Sequence, residues 1–115
     1  LWRNVISCAK RNQLLNAADY ISENSLAARI DEPMQAMLLP RTDAEGKTVC
    51  VSVVNCTIGE SGDCELTVRN PKNTDFRFMS QYAETVKLEY TRKGSDFILK
   101  LPSISGWSVG TVFCG

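Results

Sequence analysis

The sequence predicts a mainly β chain, an antiparallel immunoglobulin-like β-sandwich preceded by one amino-terminal α-helix. Three observations carry that prediction. Only the first two dozen residues space their apolar side chains by three and four. From Leu26 onward the apolar period falls to two. Short alternating runs then follow one another between turns rich in Gly, Pro, Asn and Asp. They give about seven or eight strands, which favours a sandwich or barrel over a parallel α/β sheet. With 115 residues the chain has room for one core, burying roughly 65% of the surface an unfolded chain exposes. We divide it into residues 1–24, a helix and connector from a preceding domain, and residues 25–115, the sandwich.

Trp2, Val5, Ile6 and Ala9, then Leu14, Ala17, Ala18 and Ile21, form the helical stripe, with Lys10, Arg11, Asn12 and Asn16 on the wet side. The spacing predicts a helix over roughly 3–21, ended by the turn formers Ser22 to Ser25. A stripe this apolar needs a cover, either a sheet of this chain or another domain. Leu26–Ile30 is a short extended segment. Met34–Leu39 reads as a strand stopped by Pro40, and Thr42–Gly46 as a turn. Lys47–Cys56 is the clearest strand. Val49, Val51 and Val53 share one face and Cys50, Ser52, Val54 and Cys56 the other, as expected for a central strand covered on both sides. The loop Thr57–Asp63 holds two glycines and is expected to fold back into a hairpin with Cys64–Arg69. Phe76 and Phe78 mark another strand. Val86, Leu88 and Tyr90 alternate in the next. Lys93–Asp96 is a turn before Phe97–Leu101. The last strand, Trp107–Cys114, sets Trp107, Val109, Thr111 and Phe113 on one side. Trp107 is read there as a core plug, with a truncation cost of about 3–5 kcal/mol.

Composition narrows the chemistry. Lys plus Arg and Asp plus Glu are 13 each, so the net charge is zero. No general attraction to nucleic acid or to an anionic membrane is expected. There is no histidine, which removes His-based triads and most zinc sites. No metal site and no cofactor are expected, and no apolar run approaches the roughly 20 residues of a membrane span. Without a leader pattern and beginning at Leu1, the chain reads as a segment of a longer polypeptide, and its compartment is left open. Five cysteines show no Cys-x-x-Cys spacing. Cys50 and Cys56 stand roughly 20 Å apart along one strand, beyond disulfide reach. Cys56 and Cys64 flank a loop and could pair across a hairpin; the competing reading is that each is a small buried hydrophobe.

Glycoside hydrolysis needs two carboxyl groups fixed about 5–9.5 Å apart. The best-exposed acids, Asp43, Glu45, Glu60 and Asp63, all sit on glycine-bearing turns, where acids ordinarily cap and solvate the chain. No cysteine has the cationic neighbour that would activate it, so no catalytic residue is assigned. Sugar stacking on an exposed aromatic face is the remaining chemistry. Its candidates are Trp2, Tyr20, Tyr82 and Trp107, with Tyr82 and Trp107 retained as carbohydrate contacts. Asn55-Cys56-Thr57 matches the glycosylation pattern but continues a strand.

Several segments together carry a resemblance. They are Ala17-Ala18-Asp19-Tyr20-Ile21-Ser22, Leu26-Ala27-Ala28-Arg29, Met37-Leu38-Leu39-Pro40-Arg41, Gly46-Lys47 leading to Val53-Val54-Asn55, and Leu101-Pro102-Ser103-Ile104-Ser105-Gly106-Trp107-Ser108-Val109. In this order, over residues 13–114, the chain resembles the carboxyl-terminal β-sandwich of large bacterial glycoside hydrolases of the Bacteroides type. The resemblance implies a non-catalytic accessory domain packed on upstream domains of the same polypeptide, with the catalytic acids lying before Leu1. A carbohydrate-binding module and an immunoglobulin-like interaction domain are the alternatives.

Overall fold

The structure, a computed structural model, describes residues 26–30, 36–81 and 83–114, together with Gln13, Leu14 and Ala17. The helix expected over 3–21 therefore lies outside the described residues, apart from those three positions, where the backbone is helical. The rest is strand. β1 is Ala28–Arg29, β2 Ala36–Thr42, β3 Thr48–Asn55, β4 Cys64–Arg69 and β5 Phe76–Ser80. β6 is Ala83–Lys87, β7 Tyr90–Lys93, β8 Asp96–Leu101 and β9 Val109–Cys114. They make two antiparallel sheets, one of order β1-β4-β8-β7 and one of order β2-β3-β9-β5-β6.

The two sheets face each other across one core. Val51 and Val53 of β3, Phe76 and Phe78 of β5 and Val112 and Cys114 of β9 come from the five-stranded sheet. Leu66 and Val68 of β4 and Leu99 and Leu101 of β8 meet them from the other. These are the period-two positions, each buried because the pleat sends alternate side chains to one face. Ile30 and Leu88 enter from connecting segments, and Ile104 from the β8–β9 loop. At the β7 end Phe76, Tyr90 and Phe97 form an aromatic triangle with ring centroids 5.3–5.8 Å apart, and Arg92 lies 5.4 Å over Phe97.

Four expectations are corrected here. β3 and β4 are not a hairpin, because they belong to opposite sheets and Thr57–Asp63 crosses between them. The alternation Val86, Leu88, Tyr90 is not one strand. β6 ends at Lys87 and β7 starts at Tyr90 in the other sheet. Leu88 is buried at that corner, its N–H donating to the Phe76 carbonyl at 2.9 Å. β2 runs through Pro40 to Thr42, which is tolerated because β2 is an edge strand with β3 as its single neighbour.

The fourth correction concerns β9. Trp107, Val109 and Phe113 face outward, and the buried side is Ser108, Gly110, Val112 and Cys114. Sequence reading put the bulkier residues inside. Gly110 shows why the smaller ones belong there. A β-carbon at Gly110 would stand 2.4 Å from Phe78 Cζ and 3.3 Å from Ile104 Cδ1. The Phe78 ring thus fills the space a side chain would need. Gly110→Ala is expected to destabilise the fold by about 1–3 kcal/mol through overpacking, measured by urea unfolding.

Turn chemistry matches the sequence more closely. Asp43 Oδ1 accepts hydrogen bonds from the N–H groups of Glu45 (3.0 Å) and Lys47 (2.9 Å), and Gly46 takes φ 78°. The Lys47 N–H is the main reason the Asp43 carboxyl titrates below its ordinary value. This carboxylate's contribution to the turn is in place above the ordinary carboxylate pKa and is lost only as pH falls through the lowered one. Gly94 at φ 63° starts the two-residue turn between Lys93 and Asp96, the position where a hairpin demands glycine.

Candidate functional site

Two features of the surface stand apart from an ordinary solvated sandwich. The first is the outward face of the five-stranded sheet. The strand register brings Leu39, Ser52, Thr111 and Met79 into one row across β2, β3, β9 and β5. Met37, Val54 and Val109 form the row beside it, and Arg41, Cys50, Phe113 and Arg77 the row on the other side. Met37, Leu39, Met79, Val109 and Phe113 are 39–54% exposed. Scattered exposed apolar residues are normal, whereas these five lie together on one face. At its centre the Ser52 and Thr111 hydroxyls hydrogen-bond each other at 3.1 Å. The double coverage expected for β3 is met on its inner side, where Val51 and Val53 have no exposure. On its outer side Cys50, Ser52 and Val54 are half-buried.

The second feature is Trp107. It is 71% exposed, so the core-plug reading is corrected. Its φ of 54° lies in the left-handed region, which a bulky residue seldom adopts. What holds it is Asn55, fully buried at the end of β3. Asn55 Nδ2 donates to the carbonyls of Gly59 (2.9 Å), Ile104 (2.9 Å) and Ser105 (3.3 Å). Its Oδ1 accepts from the Thr57 N–H (3.0 Å) and hydroxyl (2.8 Å). One side chain thereby ties the β3–β4 crossover to the β8–β9 loop. The Trp107 N–H donates to the Thr57 carbonyl at 3.0 Å, and Gly106 lies so close to Ile58 that a β-carbon would stand 2.5 Å from its carbonyl oxygen. Ile58, 91% exposed, is carried on the same paired loops. Replacing Trp107 with alanine is expected to change stability by no more than about 0.5 kcal/mol, checked by thermal and urea unfolding. Trp107→Gly is expected to be neutral or stabilising, since glycine takes positive φ without a steric penalty.

The remaining sequence candidates resolve simply. Glu45, Glu60 and Asp63 are exposed on loops and Asp43 serves its own turn. An open groove of ≈ 610 Å³ is lined by Asp63 and Glu65 together with Lys87 and Lys100. Its acids are matched in number by cations. Among the described residues no cluster of three His, Cys, Asp or Glu could hold a metal ion, and no helix is long and apolar enough to cross a membrane. Cys56 and Cys64 are free thiols, not a disulfide, Cys56 half-buried just past the end of β3 and Cys64 buried at the start of β4. Burial, with a smaller contribution from Cys50, pushes the Cys114 thiol up to about 11. Cys114 is a neutral core residue at pH 7, not a nucleophile. Tyr82 and the amino-terminal candidates Trp2 and Tyr20 lie outside the described residues. Asn55 in its glycosylation pattern has its amide nitrogen committed to three carbonyls, so the folded chain offers no acceptor there.

Sequence reasoning missed the role of Asn55. The signal for it was Asn followed two residues later by Thr at a strand end, the pattern of a side chain that turns its own backbone. No protein family matches this chain, and no curated protein or solved structure matches it.

Proposed function

We propose that this chain is an accessory, non-catalytic sandwich of immunoglobulin-like type from a bacterial glycoside hydrolase, a module that packs against the domains preceding it. In this reading residues 1–24 are the helix and connector and residues 25–115 the sandwich. The observation that carries it is the outward apolar face of the five-stranded sheet, where Met37, Leu39, Met79, Val109 and Phe113 lie exposed together. The resemblance of residues 13–114 to the carboxyl-terminal sandwich of such hydrolases supplies the enzyme class. The test is turnover of aryl glycosides by the 115-residue chain. None is expected, and turnover abolished by changing Asp43, Glu45, Glu60 or Asp63 would overturn the proposal.

A second reading is favoured by the exposure of Trp107: the indole as a stacking surface for a sugar ring, making the module a carbohydrate binder. Calorimetric titration with xylohexaose and cellohexaose tests it. Binding that disappears in Trp107→Ala supports it, and equal heats from both proteins reject it.

A further inference from the structure

We infer that the cleft beside the β7–β8 turn binds an oxyanion, a phosphate or sulfate group that is either free or carried as a monoester. The inference is independent of the packing-module reading and uses none of its surface.

Charge separates this cleft from its neighbours. The groove described above sets Asp63 and Glu65 against Lys87 and Lys100. A second cleft, at the β5–β6 edge, contains Asp75, whose carboxylate lies 3.0 Å from Arg77 and 3.6 Å from Lys87. Both cations there already have a counter-charge. The third cleft, of ≈ 380 Å³, is lined by Arg69, Lys72 and Arg92 together with Asn73, Thr74 and Ser95. Among the described residues no carboxylate lines it.

Arg92 is the uncompensated cation. Its Nε donates to the Gly94 carbonyl at 3.0 Å, and its guanidinium lies 5.4 Å over the Phe97 ring. Neither partner is charged, and Arg92 has no ion pair among the described residues. A guanidinium held at Nε and over one ring keeps its two terminal nitrogens for a forked contact with two oxygens of one anion. The other two cations are balanced from outside the cleft. Arg69 Nε lies 3.0 Å from Asp96, and Lys72 Nζ lies 3.6 Å from Asp43. One positive charge is therefore left over, and Lys72, exposed and loosely paired, adds to it at little cost.

The donors are fixed before any ligand arrives. The Lys72 N–H donates to the Thr48 carbonyl and the Asn73 N–H to the Cys114 carbonyl, both at 2.9 Å. The loop carrying Lys72, Asn73 and Thr74 is thereby tied to β3 and β9, while Arg92 and Ser95 stand on the β7–β8 hairpin. Groups held in place beforehand lose little freedom on binding. The volume falls within the range of small-ligand pockets, so the anion can bring a carrier of about one sugar ring.

The experiment is a ¹H–¹⁵N correlation titration of the 115-residue chain. The probes are sodium sulfate, sodium phosphate, glucose 6-sulfate and glucose, with sodium chloride holding the ionic strength constant. Saturating shifts are expected at the Asn73, Thr74 and Ser95 amides with the three oxyanions and not with glucose. Arg92→Gln should weaken binding at least about tenfold and Lys72→Gln about threefold. Arg92→Lys, which keeps the charge and loses the fork, should recover only part of the affinity. Lys100→Gln, in the groove that holds its own acids, should bind as the parent does. Unchanged Val51 and Val112 amide shifts show that each variant keeps its core. Tighter binding of glucose 6-sulfate than of inorganic sulfate assigns the ester as ligand, and equal affinities assign the free ion. Shifts that follow ionic strength alone, shifts from glucose, or affinities unchanged in both glutamine variants overturn the inference. Glycoside turnover is a separate readout, so either proposal can fail alone.

Discussion

Phe76→Ala is expected to lower the unfolding free energy by about 3–5 kcal/mol, the range for removing a fully buried aromatic ring. Whole-domain stabilities run from about 5 to 15 kcal/mol, so a chain near the lower end would be largely unfolded. The size of the effect follows from position. Phe76 has no exposure and starts β5 in the five-stranded sheet, yet its ring meets Tyr90 and Phe97 of the four-stranded sheet, at 5.3 and 5.8 Å. Its carbonyl also receives the Leu88 N–H at the corner where the chain changes sheets. Truncation therefore opens a cavity between the layers and loosens the β6–β7 corner. Urea unfolding followed by far-ultraviolet circular dichroism measures it, and a loss below about 1 kcal/mol would place the ring outside the core.

Asn55→Ala is expected to cost about 2–4 kcal/mol, from several loop groups losing a partner at once. Its amide and carbonyl satisfy backbone groups of Thr57, Gly59, Ile104 and Ser105. Water can reach the outer ones, whereas the bond to the Ile104 carbonyl is buried. Asn55→Asp separates a filled volume from a satisfied donor. Aspartate has the same shape and still accepts from Thr57, but it turns an acceptor toward three carbonyls. We expect it to be at least as destabilising as alanine at pH 7. Hydrogen exchange at the Thr57 and Trp107 amides should accelerate in both variants. An aspartate variant as stable as the parent would remove Asn55 as the pin between the loops.

Strand content was readable because alternation is a local property. β4 and β8 fall within a residue of their predicted bounds, and the turns at Gly46 and Gly94 follow from glycine's access to positive φ. Sheet membership was not readable, because a loop such as Thr57–Asp63 is equally consistent with a hairpin and with a crossover. Deciding between them requires knowing that β9 occupies the place beside β3 that a hairpin partner would have taken. The orientation of β9 was hidden for a related reason. Both of its faces are apolar, and the smaller one is inside because Phe78 from the neighbouring strand already fills that space. Trp107 then follows Val109 outward, and the reading that placed it in the core reversed with the face. For the candidate site, Trp107 was singled out by residue type alone. The outward apolar face emerged only when register aligned four strands, three of which are far apart in sequence.

β9 comes after every other strand of the described residues, yet it fills the middle of its sheet, between β3 and β5. During synthesis the ribosome therefore delivers the central plank last. Until Val109–Cys114 emerges, β3 and β5 each present an open row of backbone donors and acceptors. Such rows recruit strands from neighbouring nascent chains. Closing the gap demands contacts between residues nearly sixty positions apart, such as Ser52 with Thr111, a topology that slows folding. Shortening the chain by one strand would thus split a sheet in two instead of trimming its edge.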